Sequence, residues 1–271
     1  MTHSIDYTYL TKRVTAITKE VSGFIKNNAG KLRQEDIEEK GLHDMVSYVD
    51  RGSEEMIKKA LKELLPEAGF IAEESGNDLA ARFNWIIDPL DGTTNFVHGV
   101  PIYSISIALQ EAGEIVLGVV HEVNLDECFY AWKGGTAYCN GQEIKVSKTE
   151  KLDASLIATG FPYYDFSRME PYMKVFDQLM RNSRGIRRLG SAAVDLAYVA
   201  CGRFEVFYEY GLHPWDVAAG AFIVAQAGGK LSGFDGTDDV IFGKDIIASN
   251  GIVHDEMLSI IIKNFKTEIN Q

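Results

Sequence analysis

Trp85-Ile86-Ile87-Asp88-Pro89-Leu90-Asp91-Gly92-Thr93-Thr94-Asn95-Phe96 is the stretch on which the reading of this chain turns. Its apolar start, Trp85 to Asp88, reads as a buried strand that delivers Asp88 at its carboxyl end. Pro89 has a fixed φ and no N–H for a sheet ladder, so the chain is expected to leave the sheet and turn there. Asp91 follows three residues after Asp88, close enough across such a turn for both carboxylates to face one point. Two anions so placed repel unless a cation lies between them or one takes a proton. Gly92 allows close backbone approach, and Thr93, Thr94 and Asn95 are of the type that opens a helix with free N–H groups. A phosphate could accept hydrogen bonds from such groups while its other oxygens face the cations. Taken alone, Asp-Pro-Leu-Asp-Gly fits a plain polar turn equally well.

Two further stretches weigh against the plain turn. Ala72-Glu73-Glu74-Ser75-Gly76 ends a strand in paired carboxylates, and Pro214-Trp215-Asp216 sets one at the start of an apolar helix. Each has a bland reading, Glu73 as a solvated strand end and Asp216 as a helix cap. Oxygen donors with no His or Cys beside them suit magnesium or manganese over zinc.

Outward from this centre the first half reads as two helices on a largely antiparallel sheet. Leu10, Val14, Ile17, Val21, Phe24 and Ile25 mark one amphipathic helix over residues 9–25; a second follows Asp50 and ends at Pro66. The polar residues 26–44 between them read as a mobile connection or a hairpin. Runs at 69–72, 85–88, 104–110, 115–121 and 127–133 read as strands, and Asn140-Gly141 as a hairpin turn. In the second half, helices near 171, at 191–200, at 215–227 and from 255 alternate with strands near 186–189, 204–208 and 246–249. The expected division is residues 1–147 and 148–271, the halves meeting near 147–153.

Of the 271 residues 46% are hydrophobic and 24% charged, the balance of a globular protein, and the net charge is −12. Such a charge repels polyphosphate backbones, which makes nucleic acid an unlikely ligand. A phosphate site in so acidic a chain needs a local reversal of sign, which cations on clustered carboxylates supply. Cys128, Cys139 and Cys201 show no paired spacing and read as free thiols. A polar N-terminus without a leader pattern, and no long apolar run, lead to the expectation of a cytoplasmic protein that does not enter a membrane.

Together, residues 85–96, residues 215–229 and Glu73-Glu74-Ser75 resemble the inositol monophosphatase family, within the lithium-sensitive, magnesium-dependent phosphatase superfamily. The resemblance implies an α+β fold, a layered α-β-α-β-α sandwich of the inositol monophosphatase/fructose-bisphosphatase type, in a homodimer. It implies two or three magnesium ions per subunit, with manganese as a substitute. In the family, residues matching Glu73, Asp88 and the carbonyl of Leu90 hold one ion, and those matching Asp88, Asp91 and Asp216 a second. Residues matching Thr93 and Asp50 orient and help deprotonate the attacking water. Glu73 is counted with them as catalytic, and also faces a third, weaker ion. Amides at Gly92 and Thr93 take the phosphate, and Asp91, Gly190, Ser191, Ala192, Glu209 and Asp216 contact the polyol. Where family members often carry a lysine before the segment matching 42–50, Glu39 stands here with Lys40 adjacent; either the loop is shifted by one residue or that feature is altered, which bears on lithium sensitivity.

The implied reaction is hydrolysis of myo-inositol phosphate to myo-inositol and phosphate, with no covalent phosphoenzyme. Rival readings are a phosphatase for 3′-phosphoadenosine 5′-phosphate or fructose 1,6-bisphosphate, or a mainly regulatory, RNA-associated protein. Histidines 98, 121 and 213 read as packing or hydrogen-bonding residues, and Arg184, Arg187 and Arg188 as a solvated or interface run, with contact to substrate phosphate the weaker alternative. Tyr163 and Tyr164 are expected near the mouth.

Overall fold

The computed structural model describes residues 5–41 and 44–266. Asp6 caps helix α1 (Tyr7–Asn28), accepting from the N–H of Tyr9 at 3.0 Å, and the four-and-three spacing buries Leu10, Val14, Ile17, Val21 and Ile25. Antiparallel strands β1 (Ile37–Gly41) and β2 (Asp44–Ser47) follow, so the hairpin alternative holds for the polar stretch. The side chains of Glu39 and Lys40, and all of Leu42 and His43, lie outside the described residues.

Helix α2 (Tyr48–Leu64) starts earlier than its apolar period suggests. Asp50 is therefore not ahead of the helix but in its first turn, where it forms a capping box with Ser47. The chain continues through β3 (Gly69–Ala72), β4 (Gly76–Asp78), β5 (Phe83–Asp91), the short helix α3 (Thr93–His98), β6 (Ser104–Glu111), β7 (Glu114–Glu122), β8 (Glu127–Trp132), β9 (Ala137–Cys139) and β10 (Gln142–Glu143). Then come β11 (Leu156–Thr159), α4 (Met169–Arg181), β12 (Gly185–Arg187), α5 (Ala192–Ala200), β13 (Val206–Tyr210), α6 (Pro214–Gln226), β14 (Lys230–Ser232), β15 (Asp245–Ser249) and α7 (His254–Lys266).

Eight strands form one sheet in the order β10-β9-β8-β7-β6-β5-β3-β4, and five a second in the order β12-β11-β13-β15-β14. The first is antiparallel except where β3 runs parallel to β5. Helices α1 and α2 cover its outer face, α5 and α6 fill the space between the sheets, and α4 and α7 cover the outer face of the second sheet. The layers are α-β-α-β-α, as the resemblance implies. The alanine-rich faces of α5 and α6 allow the middle layer to be thin: Gly118 of β7 sits so close to α6 that an added Cβ would lie 2.7 Å from the carbonyl oxygen of Ala219.

One expectation needs correction. Pro89 does not end the strand, because β5 continues to Asp91, pairing Asp88 with Ser106 and Asp91 with Ser104. Three steps on β5 match two on β6, so a β-bulge absorbs one extra residue. A bulge leaves a backbone position without a ladder partner, and a residue with no N–H is suited to it. The bulge changes the facing of the side chains beyond it, which brings Asp88 and Asp91 to the same side.

Candidate active site

The bulge opens into a pocket between the sheets, lined by Glu73, Asp88, Asp91 and Asp216 among others. Glu73 follows β3, tied to β5 by its N–H on the carbonyl of Ile87 at 3.2 Å. Asp88 is 2% exposed and hydrogen-bonded to Glu73. Burial, then the charges of Glu73, Asp91 and Asp216, hold its carboxyl well above the usual carboxylate range. Asp91 accepts from Ser191 Oγ and, at 2.8 Å, from the N–H of Ala193, which ties β5 to the start of α5. Burial raises Asp91, and these bonds and Arg188 oppose the rise. Asp216 accepts from the N–H of His213 at 2.6 Å, so the cap reading holds for one of its oxygens while the residue still lines the pocket.

Beside the carboxylates, Thr93 Oγ1 donates to Asp50 Oδ1 at 2.7 Å and lies 3.0 Å from the carbonyl oxygen of Leu90. The other oxygen of Asp50 accepts from the N–H and hydroxyl of Ser47, at 2.8 and 2.6 Å. Burial pushes Asp50 up against the pull of those bonds. Gly92 caps α3 at φ +95°, and a Cβ there would meet the carbonyl oxygens of Gly190 and Ile102 at 3.1 Å. A side chain at this corner would carry both a backbone penalty and a clash.

The far end of the pocket belongs to the second sheet. Glu209, on β13, is 8% exposed and burial raises it to about 8, with Arg188 acting against the rise. Gly190, Ser191 and Ala192 line the wall at the start of α5, and Tyr163 and Tyr164 lie at the pocket as expected. Every residue given a site role on the sequence lines this cavity except Asp50, which reaches it through Thr93.

Of the charged lining residues, Asp195 was not foreseen. Arg188, expected in a solvated or interface run with substrate phosphate as the alternative, is exposed, donates to the hydroxyl of Tyr163 at 3.0 Å and lines the pocket. Asp195 lies in α5, 1% exposed. A signal for it was in the chain: Ala192-Ala193-Val194-Asp195-Leu196-Ala197-Tyr198-Val199-Ala200 is apolar all round but for one charge, and such a helix is buried. The bland reading holds for His121, enclosed between Thr18 and Asp126, while His213 stacks on Trp215 with ring centres 4.7 Å apart.

Among the described residues, no three His, Cys, Asp or Glu side chains are drawn together as a finished metal-binding group. The donor chemistry nevertheless fits a hard divalent cation. Asp88 is within hydrogen-bond distance of Glu73 and feels the charge of Asp91 and Asp216, and all the donors are oxygens. Two buried carboxyls, Asp88 and Asp91, beside two half-buried ones are tolerated only with protons or cations among them.

A model of the inositol monophosphatase family matches residues 6–269. The putative Nus factor SuhB of Neisseria meningitidis serogroup B is 43% identical over 235 residues, 86% of this chain and 90% of that protein. The fructose-1,6-bisphosphatase/inositol-1-monophosphatase of Thermotoga maritima is 41% identical over 230 residues, 84% of this chain and 87% of that protein. The crystal structure of extragenic suppressor protein suhB from Bartonella henselae superposes with a TM-score of 0.90 at 35% identity, covering 94% of this chain and 99% of that one.

Proposed function

Since the chain belongs to the inositol monophosphatase family, a family of typically metal-dependent phosphatases, we propose that it hydrolyses small polyol monophosphates, with myo-inositol monophosphate as the leading substrate. The observation that carries the reading is that buried Asp88 and Asp91 share one pocket with half-buried Glu73 and Asp216, Asp88 feeling the charge of the other three, beside the Thr93–Asp50 pair. Glu73, Asp88, Asp91, Asp216 and the carbonyl of Leu90 are the groups that would hold magnesium, or manganese in its place. When bound, such ions lower the pKa of water and neutralise charge on the phosphoryl oxygens.

The chain's own residues supply position and proton traffic. Thr93 has one hydroxyl proton, and with that proton given to Asp50 its lone pairs are free to accept from the attacking water. As the water oxygen adds to phosphorus, its proton passes to Thr93 Oγ1 and the Thr93 proton to Asp50. The P–O ester bond breaks on the opposite side, and the leaving alkoxide takes a proton from solvent. The backbone N–H groups of Gly92 and Thr93, at the start of α3, are the ones from which the phosphate would accept. Gly190, Ser191, Ala192 and Glu209 form the wall against which the polyol would lie. A cavity of about 210 Å³ limits the ester to a small one, since pockets for drug-sized ligands run to roughly 300–1,000 Å³.

A second reading, hydrolysis of fructose 1,6-bisphosphate, draws on Arg188, a cation at the far end that could meet a second phosphate. Phosphate release from inositol 1-phosphate, fructose 1,6-bisphosphate and 3′-phosphoadenosine 5′-phosphate separates these, measured with magnesium, without it and with lithium added. The Asp91→Asn variant is expected to lose at least about 100-fold in turnover and to need more magnesium. Release independent of magnesium, or an undiminished Asp91→Asn, would remove the carboxylate site.

A further inference from the structure

Asp195 has no structural task that accounts for it. Its Oδ1 is buried with no hydrogen-bond partner, at a side chain 1% exposed. The carboxylate lines the same pocket as Glu209 and Arg188. Ser191, not Asp195, caps α5, its Oγ accepting from the N–H of Val194 at 3.3 Å. A position in the first turn of α5 does favour a negative charge. That credit is small beside the cost of burying a carboxylate whose oxygen bonds to nothing. Burial, then the charges of Glu209 and Asp91, raise Asp195 well above the usual carboxylate range, and Arg188 is the one group acting against them. Arg188 meanwhile spends its hydrogen bond on Tyr163. An acceptor is thus held ready in the pocket, within reach of the charges of Glu209 and Asp91.

We propose that Asp195 is a specificity residue of this pocket, accepting a hydrogen bond from a hydroxyl of the bound polyol. Resting on the phosphatase reading above, the assignment narrows the substrate class. Asp195 and Glu209 together offer acceptors to neighbouring hydroxyls, which favours a polyhydroxylated leaving group. A second phosphate there would sit among two acidic side chains, with Arg188 the one Arg or Lys lining the pocket among the described residues. The monophosphate of a neutral polyol is therefore favoured over a bisphosphate, and over an ester with no hydroxyls.

The test compares Asp195→Asn and Asp195→Ala with the parent protein on two esters, myo-inositol 1-phosphate and p-nitrophenyl phosphate, at saturating magnesium. In Asp195→Ala, kcat/KM for inositol 1-phosphate should fall about 10-fold or more, mainly through KM, while p-nitrophenyl phosphate changes by less than about 2-fold. Asp195→Asn should lie between, since its amide oxygen still accepts. Both variants should melt at or above the parent Tm, because a buried carboxyl with an unpartnered oxygen has been removed. Equal losses on the two esters, no loss on either, or a lowered Tm would assign Asp195 a structural role and overturn the proposal. A parent protein that splits p-nitrophenyl phosphate but no inositol phosphate would instead bring down the polyol reading itself, and Asp195 with it.

Discussion

Gly160→Ala tests the far wall of the pocket with the smallest possible change. Gly160 follows β11, and a Cβ built on it would lie 2.0 Å from both carboxylate oxygens of Glu209. Ordinary contact begins at 3.4 Å, so one side must withdraw by about 1.4 Å. The backbone is poorly placed to give way: the Tyr172 hydroxyl donates to the carbonyl of Gly160 at 2.8 Å, and Thr159 pairs with Tyr208 in the sheet. Gly160 is not in the left-handed region, so alanine carries no backbone penalty of that kind. The Glu209 carboxylate is therefore the group that moves. A hydrogen bond to a charged group is worth about 1.5–3 kcal/mol, and a misplacement of 1 Å can cost roughly 100-fold. We expect kcat/KM for inositol 1-phosphate to fall about 10- to 100-fold, and that for p-nitrophenyl phosphate to stay within about 3-fold. Steady-state kinetics on both esters, beside a melting curve for the fold, give the answer. A variant with parental kcat/KM on inositol 1-phosphate would refute the placing of Glu209 against the polyol.

Two further outcomes probe the scaffold. Gly118→Ala should lose about 1–3 kcal/mol in urea denaturation, because the added methyl enters the backbone of α6 at Ala219; a loss under about 0.5 kcal/mol would mean that the middle layer is looser than described. His254 is buried, its ring nitrogens 2.8 and 3.0 Å from the hydroxyls of Ser249 and Ser232, and burial with the nearby Lys230 charge lowers it to about 4. Its neutral form is the folded form, so stability is full above pH 6.5 and declines as pH falls toward 4, by up to roughly 3 kcal/mol. An NMR titration placing this imidazole at 6 or higher would contradict the burial.

The parts of the fold legible in the sequence are those with a period or a punctuation mark. Helix α1 shows itself through Leu10, Val14, Ile17 and Val21, and the β9–β10 turn through Asn140-Gly141, both of which adopt positive φ. The bulge at Pro89 was not legible, because a proline signals the loss of one ladder bond without saying whether the strand stops or merely steps out of register. Nor did the apolar period locate Asp50, since the first turn of α2 begins with Tyr48, which is exposed. Short strands such as β4, with three exposed residues, exist only because β3 offers an edge to pair with, and nothing local encodes that. Arg188 looked like one member of a charge run because it stands among Arg184 and Arg187; Arg187 and Arg188 are both solvent-exposed, and only the tertiary fold sets Arg188 at the pocket.

How an acidic chain can concentrate carboxylates where a phosphate must enter follows from how each is held. Asp88 Oδ1 accepts from the N–H of Leu90 at 2.9 Å, Asp91 Oδ2 from Ser191 and Ala193, Asp216 Oδ2 from His213, and Asp50 Oδ2 from Ser47. In every case one oxygen is tied to nearby backbone N–H, and three of the four ties lie at a helix start, where the peptide dipoles present positive charge. Each tie offsets part of the cost of burial and fixes the rotamer, which leaves the second oxygen of Asp88, Asp91 and Asp216 for a cation and that of Asp50 for the Thr93 hydroxyl. The same helix starts, at residues 191–193 and 213–216, form the pocket wall, so the positive ends that steady the carboxylates also border the path of an incoming anion. Net charge of −12 and a phosphate site are then compatible, because the sign that matters is set over a few ångströms by backbone N–H groups and cations rather than by the surface as a whole.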